Sequence, residues 1–388
     1  MSPAARKMLA SDFAHRYCIP PRGQRPEEIW DYPNQTYSRQ IEEIAKEIAC
    51  TLFHGAYADV RPLSGNNIVS MIFPSLTKRG DVLLSVPPSC GGHFSTKSIA
   101  ELFGLKHLYL PYDNERGEID VEACAKLAGD FKPKLIYLDA SMILFPHPVE
   151  HIRNIFGDAV IIAYDASHCF GVIAGRAFQA PLLEGADLIS GSTHKTMFGP
   201  QKGLIVSRKN DAIAQTIQRA ITPLFVSNPH VHHIASLAVA LEELSAFGRA
   251  YAKRVVSNAK LLGRVLYNMK IPIMFAARDF TECHQLICLL DSKTEPLQMV
   301  QRFEDAGIHV NGIHAPFSSR PGLRLGVAEL TRRGFQREAM TEVASMIGDI
   351  LLERRSVWHV RERVRDISLA HPALVYGFNE VGEPLDAP

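Results

Sequence analysis

Short runs of apolar, β-prone residues alternate with amphipathic stretches along most of the chain. The first clear element is helical. Ile41, Ile44, Ala45, Ile48 and Leu52 recur at the spacing of one helix face, while Glu42, Glu43, Lys46 and Glu47 take the other, the 3.6-residue period of a helix lying on a core. Ser38 stands at its start as the expected N-cap. The β-prone runs follow at residues 81–86, 107–110, 134–138, 159–164, 187–190 and 203–206. Two of them, 134–138 and 159–164, are apolar at nearly every position, which marks strands buried on both faces. Strands that alternate with helices predict an α/β fold, a mainly parallel sheet with helices on both sides.

The pattern changes further on. Residues from about 229 to 268 read as helix, and strands at 285–290, 308–310 and 322–325 are interleaved with helices at 296–306 and 335–353. This predicts a second, smaller α+β unit, followed by a charged helical piece at 360–366 and an end containing Pro and Gly. The first 36 residues carry Pro20, Pro21, Pro26 and Pro33 without periodicity, and predict an extended arm laid on another surface. The expected division is an arm over 1–36, a large domain over 37–250 and a small C-terminal domain over 251–388.

Composition narrows the class of function. With 42 Lys and Arg against 41 Asp and Glu, and 46 % apolar residues, the chain is a globular protein with no global attraction for nucleic acid or an anionic membrane. No apolar stretch approaches the length of a membrane span, and the start lacks a signal-peptide pattern, so a cytoplasmic protein is expected. The seven cysteines are scattered without a Cys-x-x-Cys pair, which predicts reduced thiols rather than a disulfide framework or a zinc ribbon.

In an open parallel sheet, ligands bind beyond the carboxyl ends of the strands. Three such ends are polar: Asp139-Ala-Ser141, Asp165-Ala-Ser-His168 and Ser190-Gly-Ser-Thr-His-Lys195. A lysine about thirty residues after an Asp that ends a buried strand fits pyridoxal phosphate chemistry. The lysine amine forms a Schiff base, and the carboxylate keeps the pyridine nitrogen protonated so that the ring accepts electrons from Cα of an amino acid. Read alone, Asp165 also fits a turn and Lys195 a solvated surface lysine. The Ser64-Gly-Asn-Asn67 turn precedes a helical run at 68–73, the arrangement for a helix N-terminus that receives phosphate, although a capped turn reads the same way. In Ser89-Cys-Gly-Gly-His93 the paired glycines allow close approach to a ligand, and His93 could stack on a flat ring.

These motifs, together with Tyr57-Ala-Asp-Val-Arg-Pro-Leu-Ser-Gly, Thr193-His-Lys-Thr196 with Gly199-Pro200, Gly322-Leu-Arg-Leu-Gly-Val and Thr331-Arg-Arg-Gly-Phe335, resemble serine hydroxymethyltransferase from about residue 37 to 350. The resemblance implies a fold-type I (aspartate-aminotransferase-like) pyridoxal phosphate enzyme with a large, mainly parallel sheet of the seven-stranded type. It implies Lys195 as the Schiff-base lysine, Asp165 as partner of the pyridine nitrogen, and His168 and Ser141 beside the ring oxygen. It further implies His93 stacked on the ring, Ser64, Gly65 and Asn66 on the phosphate, and Arg324 on the substrate carboxylate. His194 fits either proton transfer or fixing of the loop. A homodimer with a shared active site is implied as well.

Two segments depart from the family. Where it has a Tyr-, Gly- and Glu-rich segment supplying an acid/base glutamate, this chain has Ile29-Trp-Asp-Tyr-Pro-Asn-Gln-Thr-Tyr37. Tyr32, Tyr37, Tyr57 and His194 are the candidates for that role. Where the family has a glycine-rich phosphate loop from the partner subunit, this chain has Leu224-Phe-Val-Ser-Asn-Pro229, in which Ser227 and Asn228 could still donate. The expected activity is cleavage at Cα–Cβ of an L-α-amino acid, retro-aldol or transaldol, without folate. The alternatives are β-elimination or decarboxylation of an amino-acid conjugate, then folate-dependent serine/glycine interconversion, then a catalytically silent relative. His230-Val-His-His233 raises a metal site with no neighbouring carboxylate or cysteine to complete it, so no metal is expected.

Overall fold

A computed structural model describes residues 1–19 and 32–385. The strands in chain order are β1 (Tyr57–Asp59), β2 (Val82–Ser85), β3 (Lys106–Tyr109), the hairpin β4 (Tyr112–Asp113) and β5 (Glu118–Ile119), β6 (Leu135–Asp139), β7 (Ile161–Asp165), β8 (Leu188–Ser192), β9 (Gly203–Ser207), β10 (Gln285–Leu289), β11 (Asn311–His314) and β12 (Pro321–Gly326). Seven of them form one sheet in the order β1-β9-β8-β7-β6-β2-β3. Only β9 runs against the rest, pairing antiparallel with β8 and β1. The three rim segments expected to converge are the ends of adjacent strands: Asp139 pairs with Asp165, and Asp165 with Ser190.

The apolar runs have the double-sided burial that their composition implies. Ile136, Leu138, Ile162, Tyr164 and Ile189 enter a core on one face of the sheet, while Leu135, Tyr137, Ile161, Ala163 and Leu188 enter a second core on the other. Successive side chains of a strand point to opposite faces, so a strand covered on both sides needs apolar residues throughout. The long helix Val231–Asn268 runs through the boundary expected at residue 250 and packs against the helices Thr36–Phe53 and Arg337–Leu351. Beyond it, β10-β12-β11 form a three-stranded antiparallel sheet.

Several expectations are displaced. The helix expected from Ser38 begins at Thr36 with Gln35 as N-cap, so Ser38 lies buried in its first turn. The Gln35 side chain makes no capping bond to the helix; its amide instead accepts from the N–H of Ile19 and donates to the carbonyl of Tyr32, each at 2.6 Å. The strand expected at 308–310 lies later, at Asn311–His314, because Gly307 turns the chain at φ +79 and Ile308 still bonds back to Phe303 at 2.8 Å. The arm is not extended at its beginning. Pro3–Leu9 is a helix with Pro at its first position, capped by Ser2 and packed on the long helix. Pro20, Pro21, Pro26 and residues 29–31 lie outside the described residues. The helical piece expected at 360–366 extends over Val357–Ala370.

Candidate active site

Beyond the carboxyl ends of β6, β7 and β8 lies a cavity of about 230 Å³, whose lining includes Ser64, Gly65, Asn66, His93, Ser141, Asp165, His168 and Lys195. Eight residues expected from the sequence, spread over more than a hundred positions, are thus brought to one wall. A larger, mostly apolar cavity of about 440 Å³ among Leu262, Val343 and Ile347 holds none of them.

One end of the cavity is shaped for an anion. Ser64 caps the helix Gly65–Leu76 by accepting from the N–H of Asn67 at 3.2 Å. No hydrogen bond among the described residues takes the amides of Gly65 and Asn66, so they remain donors at the positive end of a helix. A Cβ on Gly65 would stand 2.6 Å from Oγ of Ser192, which leaves room there for glycine alone.

Asp165 lines the same cavity. Its carboxylate accepts from the Ser167 N–H at 2.8 Å and from the Tyr137 hydroxyl at 3.1 Å, which holds the carboxylate in place at the strand end. Lys195 lies in the following loop, tied at several points. Thr193 Oγ1 donates to the Pro200 carbonyl at 2.6 Å, Thr196 Oγ1 donates to the His168 carbonyl at 2.9 Å, and the Tyr251 hydroxyl donates to the Thr196 carbonyl at 3.0 Å. The Arg332 guanidinium stacks 3.6 Å from the ring of Phe198, just past the lysine, and pairs with buried Glu243 at 2.9 Å. Burial lowers the Lys195 ammonium from its ordinary range, opposed by Asp165 and aided by Arg324. That shift raises the share of neutral, nucleophilic amine near neutral pH.

His93 is held by a carboxylate that sequence reading placed on the rim without a role. Asp139 accepts the N–H of His93 at 3.2 Å, the N–H of Val86 at 3.2 Å and the Thr96 hydroxyl at 2.5 Å. Burial raises Asp139 well above the usual carboxylate range, with Asp165 adding to it. Gly91 and Gly92 make their close approach to the chain's own backbone rather than to a ligand: a Cβ would meet the Met142 carbonyl at 2.5 Å and the Val86 carbonyl at 2.0 Å, respectively, and neither residue lines the cavity. Burial also lowers His93, against the pull of Asp165.

Arg324 reaches the same rim from β12. It donates to the Ser141 carbonyl at 3.0 Å and to Asn311 Oδ1 at 2.9 Å. Other expected residues lie elsewhere. His194 is exposed and does not line the cavity. The Tyr57 hydroxyl is committed to Asp59 at 2.7 Å, Tyr37 is 75 % exposed, and the ring of Tyr32 packs 5.2 Å from that of Tyr17. Ser227 and Asn228 do not line their own chain's cavity; the Asn228 amide bonds instead to Arg16 and Cys18 of the arm. His233 bonds to the Gln201 carbonyl at 3.0 Å, and no cluster able to hold a metal occurs among the described residues. Thr96, Ser167 and Ser192 line the cavity without having been singled out. Gln285, which backs it, had a signal in the sequence: a polar residue opening an otherwise apolar strand.

An anion cradle, a carboxylate and a lysine lining one cavity match a phosphorylated pyridine aldehyde. The fold and cavity therefore define a fold-type I pyridoxal phosphate enzyme. Comparison with known proteins specifies it further: the family model described as serine hydroxymethyltransferase matches residues 9–347. The serine hydroxymethyltransferase of Archaeoglobus fulgidus is 38 % identical, covering 97 % of this chain and 86 % of its own. That of Methanocaldococcus jannaschii is 37 % identical, covering 97 % and 89 %. A crystal structure of L-threonine transaldolase from Pseudomonas fluorescens, in its internal aldimine state, superposes with a TM-score of 0.94 at 28 % identity, over 98 % of this chain and 88 % of that one. The chain belongs to the serine hydroxymethyltransferase family.

Proposed function

We propose that this enzyme cleaves the Cα–Cβ bond of a β-hydroxy-L-α-amino acid, by retro-aldol or transaldol chemistry, without folate. Pyridoxal phosphate, bound through Lys195, supplies an electron sink conjugated to the substrate amine. Asp165 keeps the proton on the pyridine nitrogen that makes the sink effective. The amides of Gly65 and Asn66, with the Ser64 side chain, hold the phosphate. Arg324 takes the substrate carboxylate in the planar fork its guanidinium presents. Fixing the carboxylate would orient the substituents at Cα and so select which of its bonds is cleaved. In a homodimer, Ser227 would reach the partner's cofactor phosphate.

The observation that carries the reading is the convergence of Arg324, Lys195 and Asp165 on one rim, while among the described residues no glutamate lines the cavity. Glu42, the nearest acidic residue after the departing segment, is spent on Lys46 at 2.5 Å and the Cys18 thiol at 3.1 Å. The names of the relatives support cleavage at this bond. The transaldolase match supports chemistry on threonine.

The test is aldehyde release from L-threonine and L-serine, with and without tetrahydrofolate. Acetaldehyde from threonine at the same rate in both conditions is the expected result. Formaldehyde transfer that appears only with folate would replace the proposal by hydroxymethyl transfer. Ammonia, pyruvate or carbon dioxide without aldehyde would move the enzyme to elimination or decarboxylation.

A further inference from the structure

Gln285 opens β10 of the small sheet, and its side chain lies behind the cavity, bonded to Ser141 and His168, which line it. It is 3 % exposed, and both ends of its amide are used. Oε1 accepts the backbone N–H of Ile143 at 3.0 Å. Only the oxygen can accept, so this bond orients the amide and leaves Nε2 as a donor. Nε2 lies 3.1 Å from the Ser141 carbonyl and 3.2 Å from Nδ1 of His168. An amide nitrogen offers no lone pair, so Nδ1 of His168 is the acceptor and the ring proton sits on Nε2. Burial, with Lys195 and Arg324 nearby, holds His168 well below the ordinary imidazole range, so the ring is neutral and carries one proton. His284, the residue before Gln285, lies parallel to it with ring centres 6.4 Å apart.

The Ser141 carbonyl takes a second donor, Nη1 of Arg324, at 3.0 Å. Arg324 pairs with Ile287 across β10 and β12, and Gln285 pairs with Gly326. Gln285 and Arg324 therefore project from the same face of the sheet, two residues apart in register. One carbonyl sets the position of both.

We propose that Gln285 is a positioning residue that holds His168 as its Nε2–H tautomer, presents that N–H to the cofactor cavity, and keeps it in register with Arg324. The inference rests on the assignment of the cavity to the cofactor and is independent of which substrate bond is cleaved.

The test reads the ring directly. The full-length holoenzyme is labelled with ¹⁵N-histidine, and long-range ¹H–¹⁵N spectra are recorded without substrate, with His168→Asn to assign the signal. The expected parent spectrum has a protonated Nε2 and a bare Nδ1; a protonated Nδ1 overturns the proposal without reference to any variant. Gln285→Glu replaces the donor by an acceptor and should draw the proton to Nδ1, and a ring signal unchanged in this variant also overturns it. Gln285→Leu is expected to lower kcat about tenfold with KM changed less than threefold, because Arg324 keeps its own bond to Ser141. Equal losses in both parameters would count against a positioning role. Since the tautomer is read before substrate is added, failure of the aldol-type assay would leave this result standing, and the reverse holds as well.

Discussion

At Arg324 the guanidinium is anchored on two sides, by the Ser141 carbonyl and by Asn311 Oδ1, with its remaining N–H groups available. An anchored fork loses little freedom when a carboxylate docks, so it binds with the strength of a charge-assisted pair. Arg324→Ala should raise KM for the amino acid roughly 100-fold, about 2.7 kcal/mol, with a smaller change in kcat. Steady-state kinetics across a wide substrate range would show this, and an unchanged KM would end the carboxylate assignment. The role of Arg324 was legible because Gly322-Leu-Arg-Leu-Gly-Val is a compact motif. That of Asp139 was not, since the N–H groups it accepts belong to Val86 and His93, 53 and 46 residues earlier.

Among the loops, Lys202 does for the phosphate end what Asp139 does for the ring. The residue is 1 % exposed, and its side-chain nitrogen donates to the carbonyls of Arg61, Pro62 and Pro229 at 2.9, 3.1 and 2.7 Å. One side chain thus joins β9, the segment leading to Ser64 and the entry to the long helix. Lys202→Met takes the donor from the Arg61 and Pro229 carbonyls, while that of Pro62 keeps the Gly203 N–H at 3.0 Å, a loss of about 2 kcal/mol. It should also weaken cofactor binding about tenfold by freeing the Ser64 turn. Urea unfolding and cofactor titration measure the two effects, and a variant that keeps the parent's cofactor affinity would detach Lys202 from the phosphate site.

Over the whole molecule, two buried imidazoles tie stability to pH. Burial lowers His147 to about 4, and burial with Arg324 and Lys195 lowers His284 to about 3, against about 6.5 in an unfolded chain. The unfolded chain therefore binds more protons below about pH 6.5. The cost is absent above that pH and grows as pH falls toward the folded values. At pH 5 each imidazole costs about 2 kcal/mol relative to pH 7.5. Urea unfolding at the two pH values should show His147→Phe losing about 2 kcal/mol less than the parent across that interval. Equal losses would remove His147 from the account.

The sequence by itself determined whatever depends on near neighbours in the chain. Apolar runs made the central strands, helical spacing made the long helices, and polar residues just past three strand ends marked Ser141, Asp165 and Lys195 for one rim. The Ser64-Gly65 turn was readable for the same reason, since a cap and the helix it starts are adjacent. Only the tertiary structure decided the reversal of β9, the helical start of the arm, the later placement of β11 and the partners of Tyr57 and Asn228. It also decided that Gln285 would meet His168, 117 residues away. Periodicity says which face of an element is buried, but hydrogen bonds between distant side chains depend on how strands pair and helices dock, and that pairing is set only when the whole chain has packed.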